Sequence, residues 1–229
     1  RLFWLSDKMY LKMRYKEVFG RRLDLKDPKT FNEKLQWLAR YWQDPRIVQL
    51  ADKLAVRDYI KTLNLDYILN EIFFIYDKAE DIDFNSLPEK FVIKTNHCGG
   101  GNYMIICDDK SKINKTAAIE TINQGLNHVA GITTCEYQYQ YIKPRAYAEK
   151  FIEDKKSERL EIQFFCFNGT AKHILVRNDL GKANSKPFAI SYDLNWNRVQ
   201  DRIHEDMSID IPRPNKLDEM IGIVNKLAA

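Results

Sequence analysis

Lys94 precedes three consecutive glycines, Gly99, Gly100 and Gly101, in a stretch whose residue types suit anion binding. Glycine adopts positive φ readily and exposes backbone N–H groups without side-chain obstruction. Such N–H groups form concave anion sites, and Lys94 would add a point charge beside them. The pattern is neither Walker A nor the Rossmann fingerprint, because no Lys-Ser or Lys-Thr follows the glycines and no helix obviously starts there. A hairpin loop whose glycines serve only the turn is the alternative that these residues leave open.

Two short apolar runs flank the glycines and predict the strands that would hold them. Residues 91–93 and 103–106 are β-prone, so the stretch is expected to fold as strand, glycine loop, strand. Elsewhere, amphipathic spacing predicts helices, and Thr30 and Glu33 are expected to form a capping box at the start of one of them. Asn168-Gly169 predicts a hairpin turn. The stretch 65–75 contains an apolar run suited to a buried strand, and other predicted strands are 137–141, 145–152, 160–167, 173–176 and 188–192. Predicted helices are 1–19, 31–42, 51–63, 115–130 and 217–227. These elements predict an α+β fold.

Composition narrows the function classes. The chain has 229 residues, 45% of them hydrophobic and 30% charged, which is typical of a soluble folded protein. Its net charge of +4 is too small to indicate nucleic-acid binding. No apolar run approaches the roughly 18 residues of a membrane span. The four cysteines form no C-x-x-C pair and the four histidines are scattered, so no metal site is predicted and a reducing cytoplasm is the expected location.

The first predicted helix is rich in basic residues, and two interpretations remain open. The cations could touch an anionic surface, such as the inner face of a membrane, or an acidic polymer. Alternatively, they form an ordinary solvated helix face. The residues concerned are Lys8, Lys12, Arg14, Lys16, Arg21 and Arg22.

Four motifs in order then resemble one family. Residues 29–38 (KTFNEKLQWL), 51–57 (ADKLAVR), 91–97 (FVIKTNH) with the glycines, and 164–169 (FFCFNG) look like the TupA-like ATP-grasp family, which is associated with bacterial surface-polysaccharide gene clusters. The resemblance covers nearly the whole chain. It implies an ATP-grasp-like fold in which two α+β subdomains grip ATP, with Mg²⁺ as a second cofactor.

The resemblance implies roles for residues that would contact the phosphates. Lys53 and Lys94 would neutralise them from two sides, and the loop would close over them and exclude water. Arg177 would contact the γ-phosphate or an acyl-phosphate, so Lys94 and Arg177 are the expected catalytic residues. The loop residues implied are Asn96, His97, Gly99, Gly100, Gly101 and Asn102. For His97, packing within the loop is the alternative to a catalytic role.

The resemblance also implies roles for residues that would contact the nucleoside of ATP. Glu149 would accept from the adenine amino group, or support a strand whose backbone at Lys150 and Ile152 reads the adenine edge. Glu161 would hold the ribose hydroxyls. Gln163 stands where a lysine is expected in relatives, which puts a charge at that position in doubt.

The expected domains are an N-terminal helical region and pre-grasp segment at 1–87, a lid subdomain with the glycine loop at 88–147, and a C-terminal ATP-grasp subdomain at 148–229. In the superfamily, strands after the last helix carry the metal ligands, and these would lie past Ala229. The resemblance therefore implies that the sequence is a fragment, or a chain that lost those strands. The acidic residues near the end have no matching context, and none is nominated as a metal ligand: Asp201, Glu205, Asp206, Asp210, Asp218 and Glu219.

The implied function is an ATP-dependent carboxylate–amine ligase that forms an amide through an acyl-phosphate. Its substrates would be an amino acid and a sugar or uronic acid of a surface polysaccharide. Two alternatives stay open. One is a non-catalytic carbohydrate- or partner-binding protein with a degenerate ATP-grasp fold, and the other is a glycosyltransferase-type enzyme of the same pathway.

Overall fold

The computed structural model describes residues 6–99, 101, 103–132, 134–153, 160–178, 188–199 and 209–229. Its contacts divide the chain into two units, residues 1–61 with 68–151 and residues 62–67 with 152–229. Each unit has its own sheet, and both sheets are antiparallel. The predicted α+β class is therefore confirmed. The three domain ranges 1–87, 88–147 and 148–229 stay a prediction.

The first unit begins with short helices whose ends follow local sequence signals. They are α1 (Asp7–Phe19), α2 (Phe31–Tyr41), α3 (Arg46–Ala51) and α4 (Val56–Thr62). Thr30 and Glu33 form the predicted capping box at the start of α2. Gly20, at φ 67°, ends α1 as predicted, because glycine takes this left-handed conformation without strain. Helix α1 begins at Asp7 after the N-cap Ser6, and residues 1–5 of the predicted helix lie outside the described residues.

A four-stranded sheet positions the candidate site of the first unit. Its strands are β1 (Ile72–Tyr76), β2 (Phe91–Thr95), β3 (Met104–Cys107) and β4 (Ala146–Lys150), in the order β1-β4-β2-β3. Side chains alternate between the faces of a strand. Phe91, Ile93, Ala146 and Ala148 are fully buried on one face, in a core that includes Ile122 of helix α5 (Lys115–Leu126). The opposite face carries Lys94 and Glu149 beside apolar side chains.

Helix α5 lies close to this sheet at Gly125. A Cβ atom at this position would lie 2.6 Å from Cβ of Tyr103 and 3.0 Å from Cγ2 of Thr95. Only glycine allows this approach without displacing its neighbours. The close packing places the end of α5 beside the first residues of the glycine loop.

The described residues of the second unit form a three-stranded sheet and a helix. Strands β5 (Leu160–Phe167), β6 (Thr170–Asn178) and β7 (Ala189–Tyr192) pair in this order, and helix α6 spans Leu217–Ala228. Asn168 and Gly169 have φ of 50° and 75° and form the predicted hairpin turn. Ile174, Val176, Ile190 and Leu217 are fully buried in this unit's core.

Two predicted strands were wrong in type or burial. The stretch 65–75 contains most of a strand, β1, as predicted, but this strand lies at the edge of the sheet, paired with β4, and Ile75 is about half exposed, so its predicted burial was wrong. Residues 137–141 form a 3₁₀ helix and not an extended segment. One turn of helix brings the Tyr137 and Tyr141 rings to a centroid distance of 6.0 Å, which an extended chain would not allow.

Two predicted helix boundaries were also wrong. The helix predicted from residue 51 begins at Val56, because the Asp52 side chain accepts hydrogen bonds from the N–H groups of Leu54 and Ala55 and holds a turn there. The helix predicted to reach residue 130 ends at Leu126.

Candidate functional site

The face of the first sheet opposite its core carries a half-buried ion pair. The Nζ atom of Lys94, on β2, lies 2.6 Å from Oε1 of Glu149, on β4. Only 28% of the Lys94 side chain and 12% of the Glu149 side chain are exposed. Lys94 Nζ also lies 5.6 Å from the ring centroid of Tyr147. Burial, and then the charge of Glu149, raise the pKa of the Tyr147 hydroxyl, which therefore stays protonated.

Lys53 approaches the same region from the turn before α4. Its Nζ donates hydrogen bonds to the carbonyl oxygens of Asn96 (3.3 Å) and Cys98 (2.5 Å). Burial lowers the pKa of Lys53, and the nearby charge of Lys94 lowers it further. Two ammonium groups thus lie close enough to repel each other at the start of the glycine loop. An anion bound next to both would be attracted by each of them.

Asn96 holds this arrangement together from a fully buried position. Its Nδ2 donates to Oδ1 of Asp52 (2.9 Å) and to the carbonyl oxygen of Lys143 (3.1 Å), and its Oδ1 accepts from the N–H of Arg145 (2.8 Å). The backbone N–H of Lys53 donates to the Asn96 carbonyl oxygen. The side chain of Asn96 is therefore occupied within the protein and positions Lys53.

His97 is also inside the protein, with 2% of its surface exposed. Its Nε2 lies 3.0 Å from the carbonyl oxygen of His128, just after α5, and 3.4 Å from Sγ of Cys98. Burial lowers the pKa of His97 and raises that of the Cys98 thiol, which favours the neutral form of both. This geometry supports the packing role for His97 and provides no thiolate nucleophile.

The glycine loop is described at Gly99 and Gly101, whereas Gly100 and Asn102 lie outside the described residues. Gly101 has φ 75°, the left-handed conformation that favours glycine. A Cβ at Gly99 would meet nothing within 4 Å, so this residue has open space beside it.

Near the end of β4 lie the residues whose backbone was predicted to read the edge of adenine. The N–H of Lys150 donates to the carbonyl oxygen of Glu71, and the carbonyl oxygen of Lys150 accepts from Nδ2 of Asn70. Both backbone groups of Lys150 already have partners in the protein. Ile152 is largely exposed.

In the second unit, Glu161 and Arg177 face each other across β5 and β6. The guanidinium binds the carboxylate in a bidentate manner, at 2.8 Å from Nε to Oε2 and 2.9 Å from Nη2 to Oε1. Gln163 Nε2 donates to the same carboxylate. These hydrogen bonds, chiefly those from Arg177, lower the pKa of Glu161. The predicted ribose and phosphate residues thus bind each other in this structure.

Sequence reasoning missed a cavity of about 700 Å³ in the first unit, beside α4 and β1. Three cations, Arg57, Lys61 and Arg145, and one acid, Asp58, line it together with apolar side chains such as Ile72. Arg57 is near enough to Tyr147 that its charge opposes the rise in the tyrosine pKa. Arg57 lies within the ADKLAVR motif, so its position in that motif was the signal that could have identified it.

The model of the TupA-like ATPgrasp family matches residues 33–229. The chain belongs to the TupA-like ATP-grasp family. The resemblance inferred from the four sequence motifs is therefore confirmed. No curated protein and no solved structure matches the chain significantly.

The ATP that an ATP-grasp family implies fits the donor set of the first unit. Lys53 and Lys94 supply two cations beside a glycine loop, which is the chemistry that a polyphosphate requires. The magnesium that the resemblance implies stays a prediction: the described residues contain no group of three or more His, Cys, Asp or Glu side chains able to hold a metal. No step is therefore assigned to a metal. Within the described part of this ATP-grasp chain, no helix is long and apolar enough to cross a membrane.

Proposed function

We propose that this protein is an ATP-dependent ligase that joins a carboxylate to an amine. The carboxylate oxygen attacks the γ-phosphorus of ATP, the bond to the β-phosphate oxygen breaks, and ADP leaves. The amine nitrogen then attacks the acyl-phosphate carbon, loses a proton, and releases phosphate as the amide forms. The observation that carries this proposal is that Lys53 donates to carbonyl oxygens of the glycine loop, with the charge of Lys94 near enough to lower its pKa, in a chain of an ATP-grasp family.

In this proposal the protein acts by positioning and charge neutralisation, with no side-chain nucleophile. Lys53 and Lys94 hold the phosphates, and the loop 96–102 excludes water from the acyl-phosphate. Glu149 exchanges its contact with Lys94 for the adenine amino group, and Ile152 offers backbone groups to the adenine edge. Glu161 is proposed to bind the ribose and Arg177 the transferred phosphoryl group.

The cavity beside α4 is proposed to bind the acidic substrate. Its arginines, Arg57 and Arg145, suit a carboxylate, and its three cations outnumber its one acid, Asp58. The Nε atom of Arg145 is buried and has no hydrogen-bond partner among the described residues. By the family's association with surface polysaccharides, we propose an amino acid and a uronic acid or other sugar as substrates, in the cytoplasm where ATP is available.

Binding of Mg-ATP is the first test, measured as the rise in thermal stability of the wild-type chain, Lys53→Met and Lys94→Met. ATP at 100 times its Kd should add about 2.7 kcal/mol of stability to the wild type. Both variants should lose most of this gain. Lys34→Met, at an exposed position on α2, is the matched control and should keep it.

Turnover is then measured as ADP release with panels of amino acids and uronic acids. ADP release that depends on both an acid and an amine supports the ligase. ATP binding without turnover under any pair would favour the non-catalytic binding protein. Stabilisation by a nucleotide sugar but not by ATP would favour the glycosyltransferase and overturn the proposal.

A further inference from the structure

The positive charge of the chain is concentrated at one end of the sequence. Residues 1–43 contain eleven Lys and Arg against five Asp and Glu, whereas residues 44–229 contain 25 against 27. The net charge of +4 therefore comes entirely from the first part of the chain. Helix α1 carries four of the eleven cations, and it precedes the range matched by the family model.

Helix α1 buries one side and presents the other to solvent. Tyr10, Leu11 and Tyr15 pack in a small core with Leu23 and Leu25. The exposed side carries a cationic row at four-residue spacing beside an exposed apolar row. The cationic row is Lys8, Lys12 and Lys16, and the apolar row is Met9 and Met13, which are 57% and 43% exposed. Residues four apart lie on one face of a helix, so the two rows are neighbours.

Part of this side forms a cavity of about 410 Å³. Lys12, Lys16 and Arg22 line it together with Met13 and Leu23, and no acidic side chain lines it. In the described part of the chain, none of the three cations is within ion-pair distance of an acid. Lys12 contributes to lowering the pKa of Asp24, whose carboxylate is mainly held by backbone N–H groups. The cavity thus combines three cations with an apolar floor.

We propose that this side of α1 docks the protein on an anionic phospholipid surface, with a headgroup phosphate in the cavity. The lysine side chains are long enough to reach headgroups while their stems lie along apolar surface. The exposed methionines would enter the boundary between headgroups and acyl chains, which a soluble phosphate would not require. The docking is independent of ATP chemistry, because none of these residues belongs to the site described above.

The test is co-sedimentation of the whole chain with vesicles of phosphatidylcholine alone and of phosphatidylcholine with 30% phosphatidylglycerol. The wild type should bind the mixed vesicles and not the neutral ones. The variant Lys12→Gln, Lys16→Gln, Arg22→Gln should bind them at least tenfold more weakly, since each basic residue near an anionic surface is worth about fivefold in affinity. Circular dichroism verifies that the variant is folded.

A matched control removes the same charge elsewhere: Lys112→Gln, Lys216→Gln, Lys226→Gln, all exposed positions. This control should bind mixed vesicles as the wild type does. Met9→Gln with Met13→Gln should weaken vesicle binding, and glycerol phosphate should not displace the wild type. Failure of the wild type to bind mixed vesicles, or an equal loss in both triple variants, would overturn the proposal. Displacement by glycerol phosphate, with no effect of the methionine changes, would assign the cavity to a soluble phosphate instead.

Discussion

Lys94 and Glu149 are joined by a 2.6 Å ion pair on adjacent strands of the first sheet. The register of β2 and β4 sets Lys94 opposite Tyr147, so Glu149 reaches it diagonally. In this structure Glu149 therefore compensates the charge of Lys94. The proposed function assigns this lysine to binding phosphate. A polyphosphate that binds here has to compete with Glu149.

Replacing Glu149 by Gln should make this competition measurable. Without the carboxylate, Lys94 faces Lys53 unopposed, and we expect the free energy of unfolding to fall by about 1–2 kcal/mol, less than for a fully buried pair. Tripolyphosphate, which has no adenine, should bind Glu149→Gln more tightly than the wild type. Isothermal titration at low salt measures this affinity.

The double variant Glu149→Gln, Lys94→Met serves as the control for that experiment. It should lose the gain in tripolyphosphate affinity, because the gain acts through Lys94. If tripolyphosphate binds Glu149→Gln no better than the wild type, Glu149 does not compete for Lys94.

The depressed pKa of Lys53 should appear in its chemical reactivity. Because the charge of Lys94 contributes to lowering this pKa, Lys94→Met should raise it and reduce the fraction of free amine at pH 8. Acetylation of Lys53 by acetic anhydride, relative to the exposed Lys34 and followed by mass spectrometry, should then be slower than in the wild type. An unchanged ratio would show that the two ammonium groups do not interact.

Asn96 should be a major determinant of stability. Asn96→Ala removes hydrogen bonds to Asp52, Lys143 and Arg145 from a fully buried position, and should cost about 2–4 kcal/mol in urea unfolding. Asn85→Ala, at an exposed position, is the control and should change stability by about 0.5 kcal/mol or less. Equal effects of the two substitutions would contradict the central role of Asn96.

His97 should make stability depend on pH. Burial lowers its pKa below the usual 6.5, so between its folded and unfolded pKa values the unfolded chain binds more protons than the folded chain. The stability is complete above about pH 6.5 and falls as the pH decreases, by up to about 1.4 kcal/mol per pH unit from this residue. Urea unfolding at pH 7.5 and 5.5 measures it, and His97→Gln should show a shallower decrease. The same slope in both proteins would rule out His97 as the cause.

Arg177→Gln should separate function from stability. The pair with Glu161 is largely exposed, and such pairs contribute at most about 1 kcal/mol. We expect thermal unfolding to change little, while ADP release in the proposed reaction falls at least tenfold. A loss of stability without a loss of activity would assign Arg177 a structural role only.

The predictable parts of the fold depend on residues close together in the chain. The capping box of Thr30 and Glu33 and the turn at Asn168 and Gly169 are local, and both were found. The aromatic alternation at 137–141 predicted a strand and gave a 3₁₀ turn, because Tyr137 donates its hydroxyl to the carbonyl oxygen of Asp44, far away in sequence. The pattern of alternation could not reveal that partner.

The candidate site also has features that the sequence predicts and others that depend on residues distant in the chain. By its motifs, the sequence alone determined the family and predicted roles for Lys53, Lys94 and Glu149, which stay predictions. Only the tertiary structure decided that Glu149 neutralises Lys94, and that Lys53 is held by carbonyl oxygens of the glycine loop. These contacts join residues more than forty positions apart. The pair of Lys94 and Glu149 exists because the order β1-β4-β2-β3 places β4 beside β2, and strand order follows from packing the whole core.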